Sequence, residues 1–183
     1  MRIEHRSSFA IRCLQIPYLY CIIQLKKNQM RILILGGHGF IGCHTSDILK
    51  QQGHTIGVVD CYHQYYTFPD KEYFPILQIR KDHANSDQTF VGKIEDESFM
   101  ATVFQEFKPT VVIHLATYPN AKMVARNVTD ATNNMVTATA IILNLCVKSN
   151  VKRFVFASSS MAYGEFNGKI PNETVACNPN TLY

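Results

Sequence analysis

The sequence lacks a basic patch outside its first 29 residues. Five of its 18 lysines and arginines lie in residues 1–29 with one acidic residue, and the rest of the chain carries 13 basic and 13 acidic side chains. The formal charge of +4 therefore belongs to the N-terminal segment. Because a nucleic-acid surface needs clustered positive charge, this distribution argues against binding to DNA or RNA.

The sequence also lacks the cysteine spacings of metal sites. Its six cysteines include no C-x-x-C pair, and none lies near a histidine at zinc-finger spacing, so we expect no metal. This use of cysteine suits a reducing compartment, and we expect a cytoplasmic protein. The apolar run Cys13–Leu25 has 13 residues, which is too short for an ordinary membrane span. We therefore expect no membrane partner.

Residues 1–29 differ from the rest of the chain. The apolar run is interrupted by Pro17, and no small-residue cleavage site of a signal peptide follows it. Met30 then opens a strand pattern directly. We expect residues 1–29 to be an extension outside the fold, with a targeting or membrane-associating segment as the alternative.

From Met30 onward, strand and helix patterns alternate. The length fits one domain, residues 30–183, and the alternation predicts an α/β fold: a Rossmann-type, doubly wound parallel sheet, truncated after its fifth strand. The predicted strands are Arg31–Leu35, Thr55–Asp60, Gln88–Val91, Thr110–Ala116 and Lys152–Ala157. The predicted helices are Phe40–Gln52, Asp96–Phe107 and Asp130–Ser149, with a short helix near Lys71–Lys81 and a loop over Ser158–Leu182.

The segment Gly36–Gly42 reads GGHGFIG and connects the first strand to the first helix. In this context Gly36 permits a tight turn, Gly39 lets a pyrophosphate approach the backbone, and Gly42 lets the helix pack closely. The backbone N–H groups of Phe40 and Ile41 would hold the phosphates with the helix dipole. The pattern predicts a dinucleotide-binding loop; the alternative is a plain glycine-rich turn.

An acidic residue, Asp60, ends the second strand 24 residues after Gly36. A carboxylate at this position accepts hydrogen bonds from the adenosine ribose and repels a 2′-phosphate. We therefore predict NAD rather than NADP as the cofactor. The alternative is that Asp60 only stabilises a turn.

Six segments carry a resemblance to a known family: GGHGFIG, VVD, PTVVIHLAT, NNMVTATAIILNLC, VKRFVFASSSMAYGE and PNTLY. Over Met30–Tyr183 they resemble the extended short-chain dehydrogenases/reductases of the NAD-dependent epimerase/dehydratase family, and above all the UDP-glucose and UDP-glucuronate 4-epimerases. The resemblance implies NAD as cofactor, a nucleotide sugar (a UDP-sugar) as substrate, and often a homodimer. It also implies that Ala116 and Asn134 contact the cofactor.

The resemblance implies two catalytic residues. Ser159, four positions before the tyrosine of the Tyr163-Gly164 pair, would hydrogen-bond the reacting sugar oxygen. Tyr183 stands in the position of the family's catalytic base, whose phenol is activated by a lysine four residues later. The chain ends at Tyr183, so we expect that lysine and the substrate domain to be missing. Dehydratases of the family have Thr-Asp-Glu at residues 159–161, where this chain has Ser-Ser-Met, which favours an epimerase or a reductase.

One literal Tyr-x-x-x-Lys match, Tyr118–Lys122, follows the fourth strand rather than the fifth, so we do not interpret it as the catalytic pair. Two histidines also receive no catalytic role: His38 occupies a variable loop position, and His114 is interpreted as a core residue. Lys93 departs from the family, which often has an aspartate there that meets the adenine amino group. Lysine has no acceptor to offer, so that contact is in question.

The sequence predicts an NAD-dependent nucleotide-sugar epimerase, similar to the 4-epimerases, with this chain as an inactive fragment of it. One alternative is a nucleotide-sugar reductase or dehydrogenase of the same family. The other is a non-enzymatic NAD-binding remnant.

Overall fold

The computed structural model describes residues 29–65, 69–165, 170, 172–181 and 183. The predicted N-terminal extension, residues 1–29, lies almost entirely outside the described residues. Within them, five parallel strands form one sheet in the order β3-β2-β1-β4-β5, which confirms the predicted Rossmann-type sheet. The strands are β1 Arg31–Leu35, β2 Thr55–Asp60, β3 Gln88–Val91, β4 Val111–His114 and β5 Arg153–Phe156.

The register of the sheet brings the carboxyl ends of the strands to one edge. Leu35 at the end of β1 lies between Val59 of β2 and His114 of β4. Because all strands are parallel, the loops that follow β1 to β4 meet at this edge. Residues that are far apart in the sequence, such as Gly36 and Ala116, are thereby brought together.

In the described part of the chain, six α-helices accompany the sheet: α1 Phe40–Gln51, α2 Asp70–Ala84, α3 Glu97–Phe107, α4 Ala121–Arg126, α5 Val128–Thr132 and α6 Ala138–Lys148. A π-helical turn, Asn133–Thr137, joins α5 to α6, and a 3₁₀ helix, Ser160–Tyr163, follows β5. Helix α3 begins where the Asp96 carboxylate accepts a hydrogen bond of 3.0 Å from the N–H of Phe99. No helix among the described residues is long and apolar enough to cross a membrane.

The two faces of the sheet form two hydrophobic cores. On one face, Leu33 and Leu35 of β1 pack with α3 and α6, and on the other, Ile32 and Ile34 pack with Leu49 of α1. These four residues of β1 are at most 1% exposed. Burial on both faces explains why the central strands are continuous apolar runs rather than alternating ones.

The structure differs from the sequence prediction in four helical segments. Helix α2 is longer than the predicted Lys71–Lys81 and contains Pro75 in its first half. The predicted single helix Asp130–Ser149 is divided by the π-helical turn, which inserts an extra residue into one turn. The 3₁₀ helix lies within the predicted loop Ser158–Leu182, and helix α4 lies in a segment for which no element was predicted. Short elements of this kind depend on caps and tertiary contacts more than on sequence periodicity.

Candidate cofactor-binding site

A cavity of about 140 Å³ lies at the carboxyl edge of the sheet, between the loops that follow β1 to β4. Four residues predicted from the sequence to bind a cofactor line it: Gly36, Asp60, Ala116 and Asn134. The other lining residues are Val59, Cys61, His63, Tyr65, Gly92, Ile94, Glu95, Leu115 and Thr117. The fold therefore gathers residues from four separate loops around one space.

The glycine loop fits closely against the strand ends. Gly36 has φ +77°, and a Cβ atom there would lie 2.9 Å from the backbone nitrogen of Ala116. A Cβ atom on Gly42 would lie 2.2 Å from the carbonyl oxygen of Gly36. Both positions therefore require glycine, for the turn at Gly36 and for helix packing at Gly42.

The same loop leaves the start of α1 open. Gly39 stands immediately before the helix and donates its N–H to Gly36 O at 3.0 Å. The next two residues, Phe40 and Ile41, are 69% and 58% exposed, and neither is among the residues that line the cavity. Because the first turn of a helix leaves its N–H groups without helical partners, this end can accept an anion.

The Asp60 carboxylate is held from two sides. One oxygen accepts a hydrogen bond from His38 N at 3.1 Å, and the other accepts from Tyr62 N at 2.9 Å. These bonds fix the carboxylate between the glycine loop and the turn after β2. A carboxylate accepts about four hydrogen bonds, so Asp60 keeps acceptor capacity for ribose hydroxyl groups.

A cluster that the sequence analysis did not identify contacts Asp60. It consists of His38, Tyr62, Tyr73 and Lys81. The Tyr62 hydroxyl lies 3.2 Å from His38 Nδ1, and Lys81 Nζ lies 3.9 Å from the centre of the Tyr62 ring. Tyr73 of α2 donates its hydroxyl to Tyr62 O at 3.0 Å. Burial lowers the pKa of His38, against the charge of Asp60, which raises it. Helix α2 thus holds Tyr62, and Tyr62 holds Asp60.

Asn134 supplies a hydrogen-bond acceptor to the cavity. It is 8% exposed in the π-helical turn, and its Nδ2 donates to Glu95 Oε2 at 3.4 Å. Its Oδ1 is buried and has no hydrogen-bond partner among the described residues. A hydroxyl or amino group of a bound molecule would satisfy this oxygen. With the glycine loop and Asp60, it makes the cavity suitable for the adenosine part of a dinucleotide.

In the loop after β3, the residue that lines the cavity is not the one that the sequence analysis considered, which was Lys93. Lys93 has a largely exposed side chain, whereas Glu95 lines the cavity. Glu95, Cys61, His63 and Tyr65 are cavity residues that the sequence analysis missed. The only signal was their place shortly after predicted strands, where ligands bind in open parallel sheets.

The two predicted catalytic residues are not among the described residues that line the cavity. Ser159 stands immediately before the 3₁₀ helix, and its Oγ accepts from Met161 N at 3.1 Å. A serine hydroxyl can accept and donate at the same time, so the Ser159 proton remains available to a substrate oxygen.

Tyr183 packs at the edge of a small hydrophobic cluster formed by Tyr118, Val124 and Ala131. The chain before it returns to the loop after β5. Asn178 N donates to Ala162 O at 3.0 Å, and Asn180 Nδ2 donates to Glu165 at 3.1 Å. These contacts connect the segment that carries Tyr183 to the segment that carries Ser159.

Tyr118 is unsuited to be a catalytic base. It is 5% exposed and donates its hydroxyl to the Asp130 carboxylate. Burial and this hydrogen bond raise the pKa of Tyr118 to about 12, which disfavours the phenolate. Lys122 lies on α4, but Tyr118 precedes that helix, so the pair does not face one helix side. Tyr118 and Lys122 therefore lack the geometry of a catalytic Tyr-x-x-x-Lys pair.

His114 is a core residue, as interpreted. It is 2% exposed, its Nε2 lies 3.2 Å from Thr139 Oγ1, and its Nδ1 has no partner among the described residues. Burial lowers the pKa of His114 to about 4. Among the described residues, no three His, Cys, Asp or Glu side chains are grouped so that they could hold a metal ion.

The sheet order, the glycine loop and the cavity at the strand ends define a protein of the Rossmann class. Residues 32–183 match the model of the NAD dependent epimerase/dehydratase family, and the chain belongs to that family.

Among the relatives, the UDP-glucose 4-epimerase of Caenorhabditis elegans is 33% identical over 138 residues, which are 74% of this chain and 39% of that protein. The UDP-glucose 4-epimerase of Klebsiella pneumoniae is 30% identical over 78% of this chain and 97% of that protein. UDP-glucuronate 4-epimerase 2 of Arabidopsis thaliana is 28% identical over 79% of this chain and 32% of that protein. The chain therefore spans about two fifths or less of most of these relatives.

Solved structures show the same likeness. The UDP-glucose 4-epimerase of Thermus thermophilus in complex with NAD is 27% identical, with a TM-score of 0.67 over 83% of this chain and 45% of that chain. The UDP-glucose 4-epimerase of Thermotoga maritima with UDP-glucose is 29% identical, with a TM-score of 0.66 over 82% and 45%.

Proposed function

We propose that this chain is the NAD-binding part of a nucleotide-sugar epimerase that resembles the UDP-glucose 4-epimerases. The observation that carries the proposal is the cavity, in which the glycine loop, the Asp60 carboxylate and Asn134 Oδ1, which has no partner in the described part of the chain, converge. Family membership and the relatives that carry NAD in their solved structures support it.

The cofactor proposed is NAD rather than NADP. Among the described residues that line the cavity, two are carboxylates and none is a lysine or arginine. A 2′-phosphate beside Asp60 would therefore meet negative charge, with no lysine or arginine among the described lining residues to neutralise it.

In the proposed reaction, NAD held by Gly36, Asp60 and Asn134 would supply reversible hydride transfer at a sugar carbon. Tyr183 removes the proton of the hydroxyl group on that carbon, and Ser159 donates a hydrogen bond to the same oxygen. The capping contact of Ser159 with Met161 supports this role, because it restricts the position of the hydroxyl oxygen.

We also propose that the 183-residue chain has no turnover by itself. The chain spans about two fifths or less of the length of most of its relatives, and neither Ser159 nor Tyr183 is among the described residues that line the cavity. A reductase or dehydrogenase of the family remains an alternative, as does a non-enzymatic NAD-binding remnant. The proposed substrate is a UDP-sugar, and a homodimer in the cytoplasm is the proposed setting.

Calorimetric titration of the chain with NAD and NADP tests the proposal. We expect NAD to bind more tightly, and Asp60→Asn to weaken NAD binding by about tenfold or more. Asp82→Asn is the matched control, because Asp82 is an exposed aspartate on α2 that accepts from Gln78 of the same helix and does not line the cavity. Equal binding of NAD and NADP would contradict the assignment of Asp60.

Turnover is tested separately by incubating the chain with NAD and UDP-sugars and measuring epimers and NADH. We expect neither product. Product formation that Ser159→Ala abolishes would show that the chain is itself an enzyme and would refute the remnant alternative.

A further inference from the structure

The wall of the cavity presents hydrogen-bond acceptors. Asp60 and Glu95 are carboxylates, and Asn134 Oδ1 is buried without a partner among the described residues. Burial, together with the negative charge of Asp60 and Glu95, raises the pKa of Cys61, which also lines the cavity. Such a wall selects a molecule that offers several N–H or O–H donors.

Glu95 is held in this wall from two sides. Its Oε2 accepts from Asn134 at 3.4 Å, and its Oε1 lies 3.9 Å from Lys93 Nζ. The Glu95 side chain is 22% exposed, whereas that of Lys93 is 60% exposed. Both contacts are long, so Glu95 retains acceptor capacity toward the cavity, while Lys93 orients it from the solvent side.

The order of the loops fixes which part of a dinucleotide would meet Glu95. The pyrophosphate belongs at the glycine loop after β1, and the ribose belongs at Asp60 after β2. Because β3 follows β2 in the sheet order, the base would lie beyond the ribose, toward the loop after β3, where Gly92, Ile94 and Glu95 line the cavity. Lys93 cannot accept a hydrogen bond there, but Glu95 can.

We propose that Glu95 is a specificity-determining residue that accepts a hydrogen bond from the exocyclic amino group of the adenine base. This inference rests on the proposed NAD site. According to this inference, Glu95 makes the site prefer a purine with a 6-amino group to one with a 6-oxo group. Asn134 and Lys93 hold Glu95 in place for this role.

Calorimetric titration with NAD and with nicotinamide hypoxanthine dinucleotide tests the inference, because the two differ at this position of the base. We expect the unmodified chain to prefer NAD by about tenfold or more, since an oxo group facing a carboxylate leaves two acceptors opposed. Glu95→Ala should remove the preference. Glu95→Gln should narrow or reverse it, because an amide can donate to the 6-oxo group.

Glu97→Ala is the matched control, since Glu97 is an exposed carboxylate two residues away that does not line the cavity. It should keep the preference, and circular dichroism should show that every variant is folded. If both Glu95 variants still preferred NAD to the hypoxanthine dinucleotide as strongly as the unmodified chain does, the role of Glu95 would be wrong, but the proposed NAD site would stand. Failure of the unmodified chain to bind either dinucleotide would overturn the NAD site, and this inference with it.

Discussion

The glycine loop after β1 and the segment after β5 both lie at the carboxyl edge of the sheet, but they are stabilised differently. The glycine loop is joined to β2 and β4 by close backbone contacts, with Gly36 N donating to Val59 O at 2.8 Å. After β5, residues 172–181 are all exposed, and hydrogen bonds from Asn178 and Asn180 connect them to the loop before them.

This difference indicates how the two sites depend on the fold. The cofactor cavity is formed by loops anchored in the buried sheet, so its geometry follows from the core itself. Ser159 and Tyr183 lie outside that core, and their relative position depends on contacts at the surface. We therefore expect cofactor binding at the cavity not to depend on an assembled catalytic pair.

We expect the largest effect when a glycine in the glycine loop is replaced by alanine, and a glycine after β5 provides the comparison. A Cβ atom on Gly42 would lie 2.2 Å from Gly36 O and 2.7 Å from the Cα of Gly37, so backbone must move. We expect Gly42→Ala to lower the free energy of unfolding by about 1–3 kcal/mol and to abolish NAD binding. Thermal unfolding and NAD titration measure both effects.

Gly164→Ala is the counterpart in the other region. Gly164 has φ +72°, and a Cβ atom there would lie 2.1 Å from Asn178 O. This substitution should displace the segment before Tyr183 and leave NAD affinity unchanged. If both alanine variants lost NAD binding equally, the proposed independence of the cofactor cavity would be wrong.

Acid should lower the free energy of unfolding, because the buried sheet contains a histidine, His114, whose pKa is lowered by burial. Burial lowers the pKa of His114 from 6.5 to about 4, so between these values the unfolded chain binds a proton that the folded chain does not. The free energy of unfolding should therefore fall as the pH is lowered from 6.5 to 4, by up to about 3 kcal/mol. Urea titrations at several pH values measure this slope.

The histidine variant sharpens that measurement. His114→Leu should flatten the pH dependence, and a smaller slope should remain because burial also lowers the pKa of His38 and His54. A slope identical to that of the unmodified chain would show that His114 is not the main source of acid sensitivity.

A smaller effect is expected in the cluster that lies between the two regions, which contains Tyr65 of the cavity wall, Tyr118 and Tyr183. Tyr118→Phe removes the hydrogen bond to Asp130 and should lower the free energy of unfolding by about 1–2 kcal/mol. Lys122→Ala, at an exposed position, should change it little. Equal losses in urea unfolding would mean that the two residues act as a pair after all.

The smallest effect is expected for Ser159→Ala. The substitution removes the side chain that accepts from Met161 N at the start of a four-residue 3₁₀ helix. We expect a loss of at most about 1 kcal/mol in stability and unchanged NAD affinity, measured against Ser160→Ala. A marked loss of NAD binding would place Ser159 in the cofactor cavity and remove the distinction between the two regions.

Part of the cofactor cavity could be predicted from sequence, because Gly36 and Asp60, which line it, occur at fixed positions in one βαβ unit. Gly36, Gly39 and Gly42 are spaced by the turn between a strand and a helix, and Asp60 ends the next strand. The central strands β1, β2 and β4 are buried and largely apolar, which is why their runs stand out in the sequence. All five strands were predicted. Their predicted ends differ from the observed ends by at most two residues.

The sequence did not reveal the residues whose positions depend on contacts with elements far away in the chain. Glu95 reaches the cavity because α3 begins just after it and Asn134 lies opposite, 39 residues later in the chain. His38, Tyr62 and Lys81 meet only when α2 packs beside α1. No local pattern encodes such contacts.

The sequence by itself determined the order of strands and helices, the glycine loop and the acidic end of β2, since each follows from apolar periodicity and from the conformations that glycine allows. The tertiary structure decided that Asp60 is held by two backbone N–H groups, that Asn134 keeps an oxygen without a partner among the described residues, and that Glu95 rather than Lys93 lines the cavity. The physical reason is that burial and hydrogen bonding of a polar group depend on residues that packing brings to it from elsewhere in the chain.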